Sequence, residues 1–202
     1  MTDNEKRMAG DYEITHSVRI GEFEIIMGEN PNAPDGERYI VANGKQRNIF
    51  TSYESCYVND DFIAIAEEFA QRLTEQVQQL KAEREKMPCD TKPIDRSGCT
   101  PLPSEGDIKG KVIVINPDAL KPAYRVPTEQ LYFARHGNGT SMRARGSAIY
   151  CTNLYSKEDT RMERYDVIGT IEPEKLPEWA KKGFDEITSK QEKSKKAKEA
   201  AR

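Results

Sequence analysis

The sequence predicts an α+β protein: an antiparallel sheet packed with one long helix, followed by a second small β-rich unit with a short C-terminal helix. Three observations carry this. Residues 11–59 alternate polar and apolar positions between clusters of turn residues, the period of half-buried strands. From Asp60 the apolar spacing changes to three and four, the period of an amphipathic helix. A stretch rich in proline and glycine, 87–107, then precedes a new series of strand-like runs.

The elements follow in order. "DYEITHSVRIGEFEIIMGEN" places Tyr12, Ile14, His16, Val18 and Ile20 on one strand face, turns at Gly21-Glu22, and resumes with Phe23, Ile25 and Met27. "NPNAPDG" is dense in turn residues. "RYIVAN" and "QRNIFTSY" read as two further strands about an Asn43-Gly44 hairpin turn. The helix carries Phe62, Ala66, Phe69, Leu73, Val77 and Leu80 on one stripe, is capped by Asn59 or Asp60, and runs to about Lys86. Residues 1–86 thus form the acidic sheet-plus-helix unit, and 87–107 a proline-rich linker or exposed loop.

Residues 108–187 form the second unit. The apolar run 112–115 is a strand buried on both faces, ended by Asn116-Pro117. "PDALKPAYR" is a single helical turn. "EQLYFARHG", "SAIYCTNLYS" and "RYDVIGTIE" are three more strands, the last with a glycine, Gly169, suited to close backbone approach. "KLPEWAKKGFDEI" is a short helix with Leu176, Trp179, Ala180 and Phe184 on one side. Residues 188–202 show no apolar stripe and are expected to be a basic, frayed or disordered tail.

Composition narrows the class. Hydrophobic residues make up 36 % and charged residues 32 %, so the cores should be modest. No apolar run approaches the roughly 18 residues of a membrane span, and the N-terminus is charged where a secretion signal needs an apolar stretch. The expected location is cytoplasmic, without membrane partners. The four cysteines, Cys56, Cys89, Cys99 and Cys151, form no CxxC pair, and two histidines supply no zinc-like spacing. They read as free thiols, and no cofactor or metal is expected. Charge is graded: 1–86 carries a net −7 and 188–202 a net +4. An acidic front and a basic back suit different partners, and both also keep a chain in solution.

The stretch most suggestive of function is "FARHGNGTSMRARGSAIYC", 133–151. Arg135, His136, Arg143 and Arg145 could converge on a phosphate, with Gly137, Gly139 and Gly146 letting backbone N–H groups approach it. It is neither a Walker A loop nor a GxGxxG turn opening a helix. A long hairpin loop with solvated arginines is the plainer reading. The interleaved Tyr132, Phe133, Tyr150 and Tyr155 could stack on single-stranded bases or simply build a core. Lys190, Lys193, Lys195, Lys196, Lys198 and Arg202 of the tail would add salt-sensitive affinity for nucleic acid, or solubility. Glu22, Glu24, Glu29, Asp35 and Glu37 would dock into a partner's basic channel, or form a solvated sheet face.

The segments "KVIVINPDALKPAYRVPTEQLYFARHGNG", "ARGSAIYCTNLYSKEDTRMERYDVIG" and "LPEWA" resemble a domain family of unknown function from conjugative and integrative mobile elements of gut Firmicutes. Asn116, Pro117, Leu120, Pro122, Tyr124, Pro127, Gln130, Leu131, Gly137, Gly139, Ala144, Arg145, Gly146, Tyr150, Arg164, Asp166 and Gly169 carry the likeness. His136 and Asn138 depart from that family's glycine-rich loop. The resemblance implies a habitat more than a chemistry. It leads to the expectation of a non-enzymatic anti-defence protein, anti-CRISPR or anti-restriction. Such a protein would bind a host nuclease effector, with or without guide RNA, and block its engagement of DNA. In that reading Glu22 and Glu24 meet the nuclease, while Arg135, His136, Arg143, Arg145 and the tail lysines add nucleic-acid contact. The alternative is a DNA-binding accessory protein for conjugation or replication of the element.

Overall fold

The computed structural model describes residues 6–47, 50–102, 107–141 and 145–200, with Arg47 and 194–200 described by backbone alone. The chain divides between Lys86 and Met87 into two units, each with its own antiparallel sheet and helix.

In the first unit, β1 (Met8–Ala9), β2 (Tyr12–Ile20), β3 (Phe23–Glu29), β4 (Tyr39–Arg47) and β5 (Phe50–Asn59) lie in sequence order. The β2–β3 hairpin turns at Gly21-Glu22, where Gly21 takes φ 63°. Asn43-Gly44 is not a turn. Both residues sit inside β4, paired to β3 and β5, and the chain reverses after Arg47 instead. Gly44 is there for packing: a Cβ would meet the Tyr53 ring at 3.1 Å and the Thr51 methyl at 3.2 Å. The five apolar positions expected on one face of β2 are also divided. A bulge between Ile14 and His16 leaves Ile14 beside Ile26 and sends His16 and Val18 to the opposite face, opposite Met27 and Ile25.

Helix α1 (Phe62–Glu85) covers the face bearing Ile25, Met27 and Val41, with Ile65 fully buried and Phe69 and Leu73 beside it. Its cap is Asp61, whose carboxylate accepts the N–H of Ile63 at 2.8 Å, one residue later than expected. Asp60 instead accepts the N–H groups of Gly36 (2.6 Å) and Arg38 (2.8 Å), clamping the β3–β4 turn. Arg72 ties the helix to the sheet: it pairs with Glu68 at 2.7 Å and donates to the carbonyl of Ser55 at 2.7 Å, a β5 residue at φ 54°.

The second unit has five strands rather than four: β6 (Val112–Ile115), β7 (Leu131–His136), β8 (Ala148–Asn153), β9 (Asp159–Glu163) and β10 (Val167–Ile171), in the order β10-β6-β7-β8-β9. The missed strand, β9, is a polar edge with little apolar alternation. β6 is an interior strand, between β10 and β7, and is buried throughout. The connection to β7 contains two 3-10 turns, Pro117–Ala119 and Pro122–Tyr124, and the short helix α2 (Pro127–Gln130).

The described part of 87–107 is not a free linker. The side-chain amide of buried Gln130 accepts the N–H of Ile94 (2.7 Å) and donates to the carbonyls of Ile94 and Ile115 (both 2.9 Å). Thr100 bridges Thr170, and Gly169 provides the expected close approach, with Cys99 and Thr100 against it. Prolines break regular structure without preventing packing, and Ile94, Cys99 and Leu102 all join the core.

Helix α3 (Glu178–Ala200) covers the face bearing Val112, Val114, Leu131 and Phe133, through Ala180, Phe184 and Ile187. It continues through the segment expected to fray, 188–200. Its first turns are docked, and lysine, glutamate, glutamine and alanine then extend a helix already nucleated at little cost. Among the described residues no helix is long and apolar enough to cross a membrane.

A candidate nucleic-acid groove in the second unit

The sheet's geometry at the end of β7 assembles the site. Ala134 pairs with Cys151 and His136 with Tyr150, so Arg135 is the extra residue of a bulge. Ala134 and Cys151 face the core cluster of Ile113 and Ile149. Tyr150, Thr152 and their β9 partners Arg161 and Asp159 point to the other side, towards α3. The bulge brings the consecutive Arg135 and His136 onto this same side. Without it, strand alternation would separate them.

These residues line an open groove of about 490 Å³, with Arg135, His136, Thr152 and Asp159 on the sheet. Glu186, Ile187 and Lys190 of α3 form the opposite wall, and Lys109 and Lys157 the rim. It continues past His136 and Asp159 into a depression lined by Tyr150, Cys151 and Arg161. Arg135 is ion-paired with Asp159, and Lys157 with Glu186 at 3.7 Å. Thr152 and Arg135 together hold the Asp159 carboxyl below the usual carboxylate range. Burial pulls the Lys157 ammonium below its ordinary value, against the attraction of Glu186. Lys109 and Lys190 have no ion pair among the described residues. Counting side chains, the groove and its extension carry five cations, Lys109, Arg135, Lys157, Arg161 and Lys190, against Asp159 and Glu186.

His136 is exposed and stacks on Tyr150, ring centroids 4.9 Å apart and 28° from parallel. Of the four aromatics considered, Tyr132 and Phe133 are core and Tyr150 and Tyr155 are exposed. Burial pushes the Cys151 thiol up to about 12, so it is no nucleophile at neutral pH.

Two of the three loop glycines, Gly137 and Gly139, have a packing reason to be glycine. A Cβ at Gly137 would run into the carbonyl of Ala148, and one at Gly139 into that of Ser147, so these glycines serve close packing on the chain entering β8. Among the described residues of the loop, two carbonyls face a cation: Arg164 donates to Gly139 O (2.7 Å) and Thr140 O (3.0 Å). Arg145 is exposed and outside the groove lining, its carbonyl accepting from Asn138. Arg143 lies outside the described residues. Lys193 is exposed near the end of α3, and the side chains of Lys195 and Lys196 lie outside the described residues.

The acidic docking surface of the first unit is not assembled either. Glu24 is 6 % exposed and accepts two hydrogen bonds from Arg7, at 3.0 and 2.8 Å, with Arg19 at 3.6 Å. Arg7 above all holds its carboxyl below the usual range. Glu29 pairs with Arg38 at 2.8 Å. Glu22 is exposed at one end of β3, whereas Asp35 and Glu37 lie in the turn at its other end, roughly 20 Å away at strand rise.

Of the groove residues, Lys109, Asp159 and Arg161 escaped sequence reasoning, and Lys190 was marked only as part of the basic tail. They come from three separate segments, the chain before β6, strand β9 and helix α3, and only the strand order and the seat of α3 make them neighbours. Among the described residues no His, Cys, Asp or Glu cluster could hold a metal ion. Comparison with family models, with curated proteins and with solved structures gave no match.

Proposed function

We propose that this chain is a non-enzymatic binding protein whose second unit holds the phosphate backbone of nucleic acid along the α3 groove. The observation that carries the reading is the placing of Lys109 and Lys190, which have no ion pair among the described residues, beside Arg135 in one open groove. Phosphate contacts supply affinity without needing a catalytic group. The two carboxylates sharing the groove with His136 are engaged, Asp159 by Arg135 and Thr152 and Glu186 by Lys157, which supports binding rather than acid–base work. We propose this as the accessory role expected of a mobile element, with the cytoplasm as its place of action. In its anti-defence form, the same groove would compete for the guide RNA or target DNA of a host nuclease effector.

The test is anisotropy of labelled DNA with the full chain at about 50 and 200 mM salt. Two to four phosphate contacts predict a loss of about 10- to 150-fold over that range. Lys109→Glu and Lys190→Glu should each weaken binding further, and Glu22→Lys should not. Binding that ignores salt and both lysines refutes the reading. A nuclease pull-down lost on Glu22→Lys alone would move the function to the first unit.

A further inference from the structure

We infer that the groove selects unpaired bases, because Tyr150 and His136 form a stacking platform in the depression that extends it; this rests on the nucleic-acid reading above. Tyr150 sits within β8 between Ile149 and Cys151, which are 0 % and 1 % exposed, yet is itself 46 % exposed. Strand alternation turns it to the side that α3 covers further along, but here the helix stands off and leaves the groove open. The β7 bulge lays the imidazole of His136 against it, so the pair presents a pre-ordered π surface instead of a mobile tyrosine. Arg161 is Tyr150's direct partner on β9, and Arg135 precedes His136. Both guanidiniums are ion-paired, Arg161 with Glu163 and Arg135 with Asp159. Those pairs hold the two guanidiniums in place beside the platform, while the uncompensated positive charge of the groove comes from Lys109 and Lys190.

An aromatic floor between cations is the arrangement that holds single strands, since every base has a π face while the phosphates follow the charges. A duplex keeps its base faces stacked internally and offers the groove only phosphates. The platform therefore adds affinity for the single strand alone. Stacking tolerates any base, so little sequence preference is expected.

The experiment compares one mixed-sequence oligonucleotide as single strand and as duplex, by anisotropy with the full chain. Wild type should favour the single strand by tenfold or more. Tyr150→Ala should weaken single-strand binding by about 5- to 150-fold and collapse that preference. Tyr150→Phe keeps the ring and should restore it. Tyr165→Ala, which removes a ring 76 % exposed outside the groove, should leave it intact. Trp179 fluorescence checks that each variant is folded. Equal single-strand and duplex affinities, or a Tyr150→Ala protein that keeps its preference, overturn the platform while salt-dependent groove binding stands. Failure to bind either form overturns both readings.

Discussion

Replacing Gly183 by alanine sets two opposed effects against each other, and the structure decides between them. At an open helix position the change would stabilise by about 1 kcal/mol, because glycine is a poor helix former. Gly183, however, is buried on α3 where the helix crosses the turn after β8. A Cβ there would lie well inside the 3.0 Å that real Cβ atoms keep, against both the Leu154 carbonyl and the Lys157 ammonium that donates to it. The carbonyl is backbone, held in the turn by Asn153, whose side-chain oxygen accepts the N–H groups of Tyr155 (2.7 Å) and Ser156 (2.8 Å). The helix has to lift. Overpacking of this kind costs about 1–3 kcal/mol, and disturbing the Lys157 hydrogen bond adds about 1. The net expectation is destabilisation of the second unit by about 1–3 kcal/mol. Trp179, the sole tryptophan, lies on α3 and reports this unit in urea titrations. At a slope of about 2 kcal/mol/M the midpoint should fall by about 0.5–1.5 M. Ser189→Ala, exposed on the same helix, should change it little. A Gly183→Ala midpoint equal to or above wild type would refute the close approach of α3 to the turn, and with it the wall of the groove.

Three further outcomes are expected. Gln130→Leu strips partners from the N–H and carbonyl of Ile94, at about 1–3 kcal/mol for each buried group left unmade, so limited proteolysis should cut within 87–102 while wild type resists. Glu24→Gln removes the buried charge opposite Arg7 and should destabilise the first unit by about 1–3 kcal/mol at pH 7. Because the folded carboxyl is depressed, its contribution is present above the unfolded value of about 4.3 and lost as pH falls through the folded one. Urea titrations by near-ultraviolet circular dichroism at pH 7 and pH 3 should therefore show the variant closest to wild type in acid. Asp61→Ala removes the cap of α1 and should cost about 1 kcal/mol by the same assay, whereas Asn59→Ala should cost less if Asp61 is the capping residue.

Local patterns carried the element types. The alternation of Phe23, Ile25 and Met27, the stripe through Phe69 and Leu73, and the apolar run of β6 each bury a face dictated by their own period, so they are legible in one dimension. Single-residue irregularities were not. The bulges after Ile14 and Ala134 each reverse the facing of every residue beyond them, and nothing in their side chains announces them. Asn43-Gly44 has the chemistry of a turn, but pairing on both sides and the fit against Tyr53 kept the chain extended.

The same division holds for the candidate site. The sequence by itself marked Arg135 and His136, because basic and aromatic residues crowd the end of one strand. It could not separate them from Arg143 and Arg145, nor find Lys109, Asp159 and Arg161, and it marked Lys190 only as part of the basic tail. Charges recognise a ligand by distance, and the distances across the groove arise from strand order, a bulge and the seat of α3. Those belong to packing, which brings together residues the chain keeps far apart.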